Sequence, residues 1–264
     1  MSGSKRRAFL HVLLLYGLCI GVIATGLFDG VCTELGYGHY AEQPVPWLPP
    51  WLAMPCNSLV NLGYMAVGVL WLRREPAAGG ADGYYKDAFA WMALGYGPVQ
   101  WTRLATQSQR PAALDQWITL PIFAWVPAWA AHLLGPAGRG PGGLALPLAV
   151  QAASAASYGL ALAHCLGFEL ALGCHILAAG LAGFAAQSRL GDRTSWRHLA
   201  LALASCAGFV GLKLLDRPLT DWGLLPGWIS GHFCSKLCDL LQFHLSFCFL
   251  EYLGQRKALI NKEQ

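Results

Sequence analysis

Residues 231–253 read GHFCSKLCDLLQFHLSFCFLEYL, and how this stretch is read decides the fold. It is long and apolar enough to cross a membrane, which takes about 20 residues of helix. Yet it carries His232, Lys236, Asp239 and His244. A charged side chain at the bilayer centre costs a few kcal/mol or more, so these groups must face other protein groups or a water-lined space. His232, Lys236 and Asp239 stand at i, i+4 and i+7, one stripe of a helix. His244 lies off that stripe, about 18 Å along the axis from His232.

The rest of the chain repeats the pattern. Charged residues make up 12% of 264 residues and the mean hydropathy is +0.42. Soluble domains carry about 25% charge, so this composition points to a polytopic membrane protein. Eight segments qualify as helices: 8–28, 54–72, 88–104, 115–134, 144–163, 168–187, 197–215 and 229–250. The third is short and contains Gly95, Gly97 and Pro98, breaks that buried neighbours in a membrane can repair. The expected fold is therefore an all-α polytopic transmembrane helix bundle of about eight helices. It divides into an N-terminal helix and loop (1–53), a seven-helix core (54–253) and a tail (254–264).

Charge distribution fixes an orientation. With both ends cytoplasmic, thirteen of the 18 Lys and Arg fall on the cytoplasmic side, Arg139 among them; only Arg103, Arg110 and Arg217 fall opposite. Lys213 and Lys236 lie within helices. This asymmetry is the positive-inside pattern. The net charge of +4 thus belongs to loops that orient the bundle, and no basic arm or patch suggests nucleic acid. The first segment also resembles a secretory signal, with a basic start and small residues near Ala24, but its apolar run is longer than a signal core. A retained helix is expected.

Of nine cysteines, Cys32 and Cys56 bracket the first exoplasmic loop and are candidates to pair in an oxidising lumen; the others read as small packing residues. The Gly/Pro-rich stretches at 75–83 and 135–143 read as turns between helices.

Topology brings polar residues from several helices to one depth, at the exoplasmic end. The second helix contributes Asn57, Ser58 and Asn61, and the third ends with Thr102 and Arg103. The fourth opens with Asp115, the seventh closes with Lys213 and Asp216, and the eighth opens with His232, Lys236 and Asp239. The plain reading is interhelical hydrogen bonding that holds the bundle together. The ionisable members suggest instead a pocket or an ion path. As a metal site the set is poor. His232 and Asp115 are zinc ligands by type, but a lysine repels a cation, and Cys234 and Cys238 sit on another face.

The order of short motifs resembles the membrane superfamily that unites alkaline ceramidases with progestin and adiponectin receptors. NSLVNL (57–62) is similar to the N-T-x-S-N-L element of the first core helix. LDQWITLP (114–121) supplies the aspartate that opens the third core helix, with its Leu-Pro three residues late. KLLD (213–216) stands where the sixth core helix carries an N-x-D-like element. GHFCSK (231–236) opens the last helix as H-x-x-x-H does, with His232 at the first histidine. The resemblance covers about residues 54–250 and implies a seven-helix hydrolase-like core behind one extra helix.

What departs from that pattern matters more. The family holds zinc with three histidines and keeps a serine one turn before the first of them. Here Thr102 and Lys236 take two histidine positions and Pro98 the serine position. The resemblance therefore implies no catalytic residue and no metal or other cofactor, zinc included. Lys236 is expected to replace the lost cation by pairing with Asp115 or Asp239, so that Lys236→Met destabilises the fold. The candidate polar pocket comprises Asn57, Ser58, Asn61, Thr102, Asp115, Asp216, His232, Lys236 and Asp239. Its expected occupants are membrane lipids or a protein partner. The leading expectation is a non-catalytic pseudoenzyme or receptor-like bundle. Two others stand beside it: a divergent zinc amidase or esterase using His232 and Asp115, and a small transporter using Lys213, Asp216, Lys236 and Asp239.

Overall fold

The computed structural model describes residues 3–76, 81–135, 144–226 and 228–263. Residues 77–80 and 136–143, which belong to the two stretches expected to turn and include Arg139, lie outside them. The described residues form α1 (Gly3–Ala24), α2 (Pro55–Leu59), α3 (Asn61–Arg73), α4 (Ala81–Thr106), α5 (Gln109–Leu134) and α6 (Ala145–Ser157). They continue as α7 (Leu160–Ala163), α8 (Gly167–Leu190), α9 (Arg193–Leu214), α10 (Asp216–Asp221) and α11 (Gly231–Glu263). No strand occurs among them.

Among the described residues, seven spans are long and apolar enough to cross a membrane: α1, Pro55–Arg73, α5, Ala145–Ala163, α8, α9 and Gly231–Lys262. The remaining expected segment, the third (88–104), lies in α4, which is 26 residues long but too polar to qualify, with Asp82, Lys86 and Asp87 in its first two turns. Its position explains how that polarity is carried. α4 packs against α1, α3 and α5, so its polar face meets protein. Lys86 is fully buried, held by Asp87 at 3.1 Å and by the carbonyls of Trp71 and Arg74.

α4 also runs the length of the bundle. At its start Asp82 bonds His132 at the end of α5 (2.6 Å), while at its finish Arg103 bonds Asp115 near the start of α5 (2.6 Å). The N-terminus of α1 and the C-terminal part of α11 gather at the Asp82 end, where Ser4 approaches Gly83 and Lys257 bonds the His132 carbonyl. The long loop at 25–54 covers the opposite end.

α5 is the most enclosed helix, flanked by α1, α4, α6 and α8. By contrast α8 turns Leu170, Leu177 and Leu181 outward, each at least 60% exposed. An aqueous surface rarely tolerates such a contiguous leucine face, whereas hydrocarbon does. The chain is thus a multi-pass membrane bundle. α1 belongs to its packing: Ala8, Val12, Tyr16, Cys19 and Ile23 enter the main core cluster, and the Tyr16 hydroxyl donates to the Met92 carbonyl (2.9 Å).

One cysteine expectation is corrected. Cys32 pairs with Cys165, in the α7–α8 turn, with 5.1 Å between their Cα atoms, and Cys56 is free. The cause is the path of the loop after α1. Gln109 donates to the Val31 carbonyl and accepts from Thr33, which pins Cys32 beside the start of α5. Cys56 sits instead at the first turn of α2, where Glu42 accepts its amide.

Candidate functional site

Most of the expected polar residues meet at the end covered by the 25–54 loop. α2 and α3 are separated by a break at Val60, and Asn61 repairs it: its amide donates to the carbonyls of Asn57 (3.0 Å) and Ser58 (3.1 Å). Asn57, Ser58 and Asn61 are all essentially buried. The Asn57 amide group reaches Ser230 at 3.5 Å, just before α11. Glu42 caps α2 from the loop, accepting the backbone amides of Cys56 and Asn57 at 2.8 and 2.9 Å. Burial raises the Glu42 carboxyl above its ordinary range, against the lowering effect of those two amides.

Asp216, at the start of α10, works in the same way on α11. One carboxylate oxygen accepts the His232 amide (2.8 Å) and the other the Ala41 amide (3.1 Å). It therefore ties the loop to the first turn of the last helix, where unpaired amides need acceptors. The His232 ring packs edge-on against Tyr40 at 4.8 Å between centroids.

Asp115 is paired, though with a different cation from the one expected. Arg103 Nη1 donates to Asp115 Oδ2 at 2.6 Å, and both side chains are nearly buried. A second Arg103 nitrogen bonds the Glu34 carbonyl. Asp239 accepts from the Tyr64 hydroxyl at 2.6 Å. With both carboxylates engaged, Lys236 forms no ion pair within 4 Å among the described residues. Its ammonium lies over the Tyr96 ring, 5.8 Å from the centroid. It points inward, and Asp115 and Asp239 remain within electrostatic reach. The expected direct pairing is thus replaced by a guanidinium pair beside it. The reason is geometric: Arg103 closes α4, which is joined to α5 by two residues, so it reaches Asp115 first.

Thr102 leaves the set. It is exposed, and its hydroxyl donates to the Pro98 carbonyl one turn back (2.8 Å). His244 stands at the other end, between Trp71 (3.3 Å) and Cys248 (3.6 Å).

The structure adds Tyr64, Tyr96 and Gln100 to the expected set. Tyr64 continues the Asn57 and Asn61 stripe along α2 and α3. Tyr96, Gln100 and Arg103 share the i, i+4, i+7 spacing on α4 that marked the opening stretch. The Tyr96 hydroxyl meets Thr119 at 3.0 Å, and Thr119 bonds the Asp115 carbonyl at 2.8 Å. The Gln100 side chain is 2% exposed and lies beside the Tyr96 hydroxyl.

A zinc ion does not fit this donor set. A catalytic zinc takes three protein ligands. Of the three positions that the resemblance assigns to histidines, only His232 offers one; Thr102 faces away and Lys236 is a cation.

Sequence comparisons find relatives along nearly the whole chain. A family model described as the TMEM187 protein family matches residues 8–251. Transmembrane protein 187 of Homo sapiens is 51% identical over 254 residues, covering 96% of this chain and 95% of its own. Its Bos taurus counterpart is 49% identical over 259 residues, covering 96% and 99%. No solved structure matches.

Proposed function

The chain belongs to the transmembrane protein 187 family, and from that premise we propose that it is a non-catalytic, receptor-like bundle on an alkaline-ceramidase-like frame, with a lipid as ligand of its polar end. The observation that carries this reading is the Arg103–Asp115 pair at 2.6 Å. A pocket that loses a divalent cation must neutralise its carboxylates in another way, because uncompensated buried charge is strongly destabilising. Arg103 does this at Asp115, and Tyr64 together with the nearby Lys236 does it at Asp239. The excess of Lys and Arg in the loops read as cytoplasmic supports an orientation with both termini in the cytoplasm and the polar end on the exoplasmic side. A lipid reaches such an end laterally from the outer leaflet.

Metal analysis and a hydrolysis assay test the proposal. Protein purified from zinc-replete cells is expected to carry no stoichiometric zinc, and to release no more fatty acid from ceramide than the His232→Ala variant. One tightly bound zinc per chain, with hydrolysis abolished by His232→Ala, would overturn it.

A further inference from the structure

The α8–α9 turn, at the end opposite the polar cluster, concentrates three arginines. Arg189 lies in the last turn of α8, and Arg193 and Arg197 lie in the first two turns of α9. All three are exposed, and none forms an ion pair within 4 Å among the described residues. Nearby carboxylates are engaged elsewhere: Glu75 by Lys5, Asp82 by His132, Asp87 by Lys86 and Asp192 by Arg256. Glu251, on α11, is buried. The backbone beneath the three charges is fixed. Asp192 caps α9, the Ser195 hydroxyl accepts the Asp192 amide at 2.7 Å, and Gln187 donates to the Asp192 carbonyl at 2.9 Å.

Helix stability does not account for these charges, because Arg193 opens α9 and a cation in a first turn opposes the positive end of the helix dipole. Orientation of the bundle calls for basic residues in the loop, but not for their concentration beside exposed rings. Trp196 is one turn from Arg193 and adjacent to Arg197. It is 47% exposed and packs on Phe184 of α8, itself 45% exposed, with 6.0 Å between ring centroids. Farther along the same two helices, Leu181 and Leu201 face outward into hydrocarbon. The turn thus stands where the lipid-facing surface ends, with an indole at headgroup depth and guanidinium groups beside it. The groups that meet a basic patch at that depth are lipid phosphates.

We propose that the α8–α9 turn binds an anionic phospholipid whose headgroup ends in a phosphate monoester, with Arg189, Arg193 and Arg197 bonding the phosphate oxygens. This site is separate from the polar end and does not depend on the ligand bound there. A guanidinium pairs with phosphate through two parallel hydrogen bonds. A monoester presents three terminal oxygens and carries about −1.5 to −2 charge near pH 7, so it satisfies three unpaired cations better than a singly charged diester does.

Native mass spectrometry of the full chain in neutral detergent, titrated with lipids of identical acyl chains, tests the site. Phosphatidic acid is expected to bind about tenfold more tightly than phosphatidylcholine. It should also bind several-fold more tightly than phosphatidylglycerol, a diester. The triple variant Arg189→Gln, Arg193→Gln, Arg197→Gln is expected to lose this preference with Tm unchanged in lipid-free detergent, since all three side chains are exposed. Arg6→Gln, Arg7→Gln, Arg73→Gln removes the same charge from other exposed arginines at this end and is expected to keep the preference. A variant with lysine at 189, 193 and 197 preserves the charge that orients the hairpin, so it folds even where the glutamine variant does not. It should show a reduced preference, because lysine lacks the two-pronged contact. Equal binding of phosphatidic acid and phosphatidylglycerol, or an equal loss in the two glutamine variants, would reveal only a diffuse positive surface and overturn the proposal. An undiminished preference in the lysine variant would overturn it too, as would glycerol 3-phosphate binding as tightly as the lipid.

Discussion

Arg103, in the last turn of α4, and Asp115, in the second turn of α5, form a 2.6 Å ion pair across a two-residue link, with side chains 12% and 8% exposed. Removing one partner strands the other charge in a buried place, which costs about 3–5 kcal/mol. Replacing both by apolar residues removes the stranded charge. Arg103→Met and Asp115→Leu are therefore each expected to lower stability strongly, and the double variant to recover most of the loss. Thermal unfolding of the four proteins in one detergent closes the cycle. Additive losses would show that the two side chains act independently.

Lys236 is expected to matter less. Its contact is the Tyr96 ring rather than a carboxylate, and a desolvated cation–π contact contributes about 0.5–2 kcal/mol. Lys236→Met should thus lower Tm by less than Arg103→Met in the same detergent. The opposite ranking would restore Lys236 as the main counter-charge.

Helix positions were legible in the sequence because apolar length reports them directly, and every one of the eight segments lies largely within a helical span. So was the convergence of Asn57, Asn61, Asp115, Asp216, His232 and Asp239, since alternating topology fixes which helix ends are neighbours. Partner choice was not legible. Whether Asp115 meets Arg103 or Lys236 depends on the rotation of α4 about its axis, and no local pattern encodes that rotation. Thr102 shows the same ambiguity: one residue from Arg103, it faces out because successive helical residues are about 100° apart. Gln100 lacked a charge to draw notice, although its spacing from Tyr96 and Arg103 marks it.

The disulfide is a long-range closure that spacing alone could not identify. Cys32 and Cys165 are 133 residues apart, and a loop of that length costs the unfolded chain much entropy to close. Cys32→Ser or Cys165→Ser is expected to destabilise by about 2–5 kcal/mol. Cys56→Ser should leave the bond intact. Peptide mapping without reductant checks the pairing, and a Cys32–Cys56 peptide would contradict it.

Close approach of α3 and α4 rests on two glycines. A Cβ on Gly97 would lie 2.7 Å from the Asn61 carbonyl oxygen, and one on Gly68 would lie 2.7 Å from that of Ala90. Both obstacles are backbone, which cannot swing aside, so the helices must part. Gly97→Ala is expected to cost about 1–3 kcal/mol. An unchanged Tm would mean that the helices separate without loss.

At the other end Asp192 caps α9 and links it to α11. Its carboxylate accepts the amides of Thr194 and Ser195, the Tyr252 hydroxyl at 2.6 Å, and a close ion pair with Arg256. The Tyr252 hydrogen bond, then the capping amide of Ser195, hold the carboxyl well below its ordinary value of 3.8. A depressed folded-state pKa contributes stability that is present above the unfolded value and is lost as pH falls through the folded one. Tm is therefore expected to fall as pH drops below about 3.8. Glu34 titrates in an overlapping window, since its bond from His39 holds it to about 2. The wild-type and Asp192→Asn profiles must accordingly be subtracted. Asparagine still caps the helix but cannot titrate, so the difference between the two curves should shrink on acidification. A constant difference down to the lowest pH would show that the charge on Asp192 contributes nothing to joining α9 and α11.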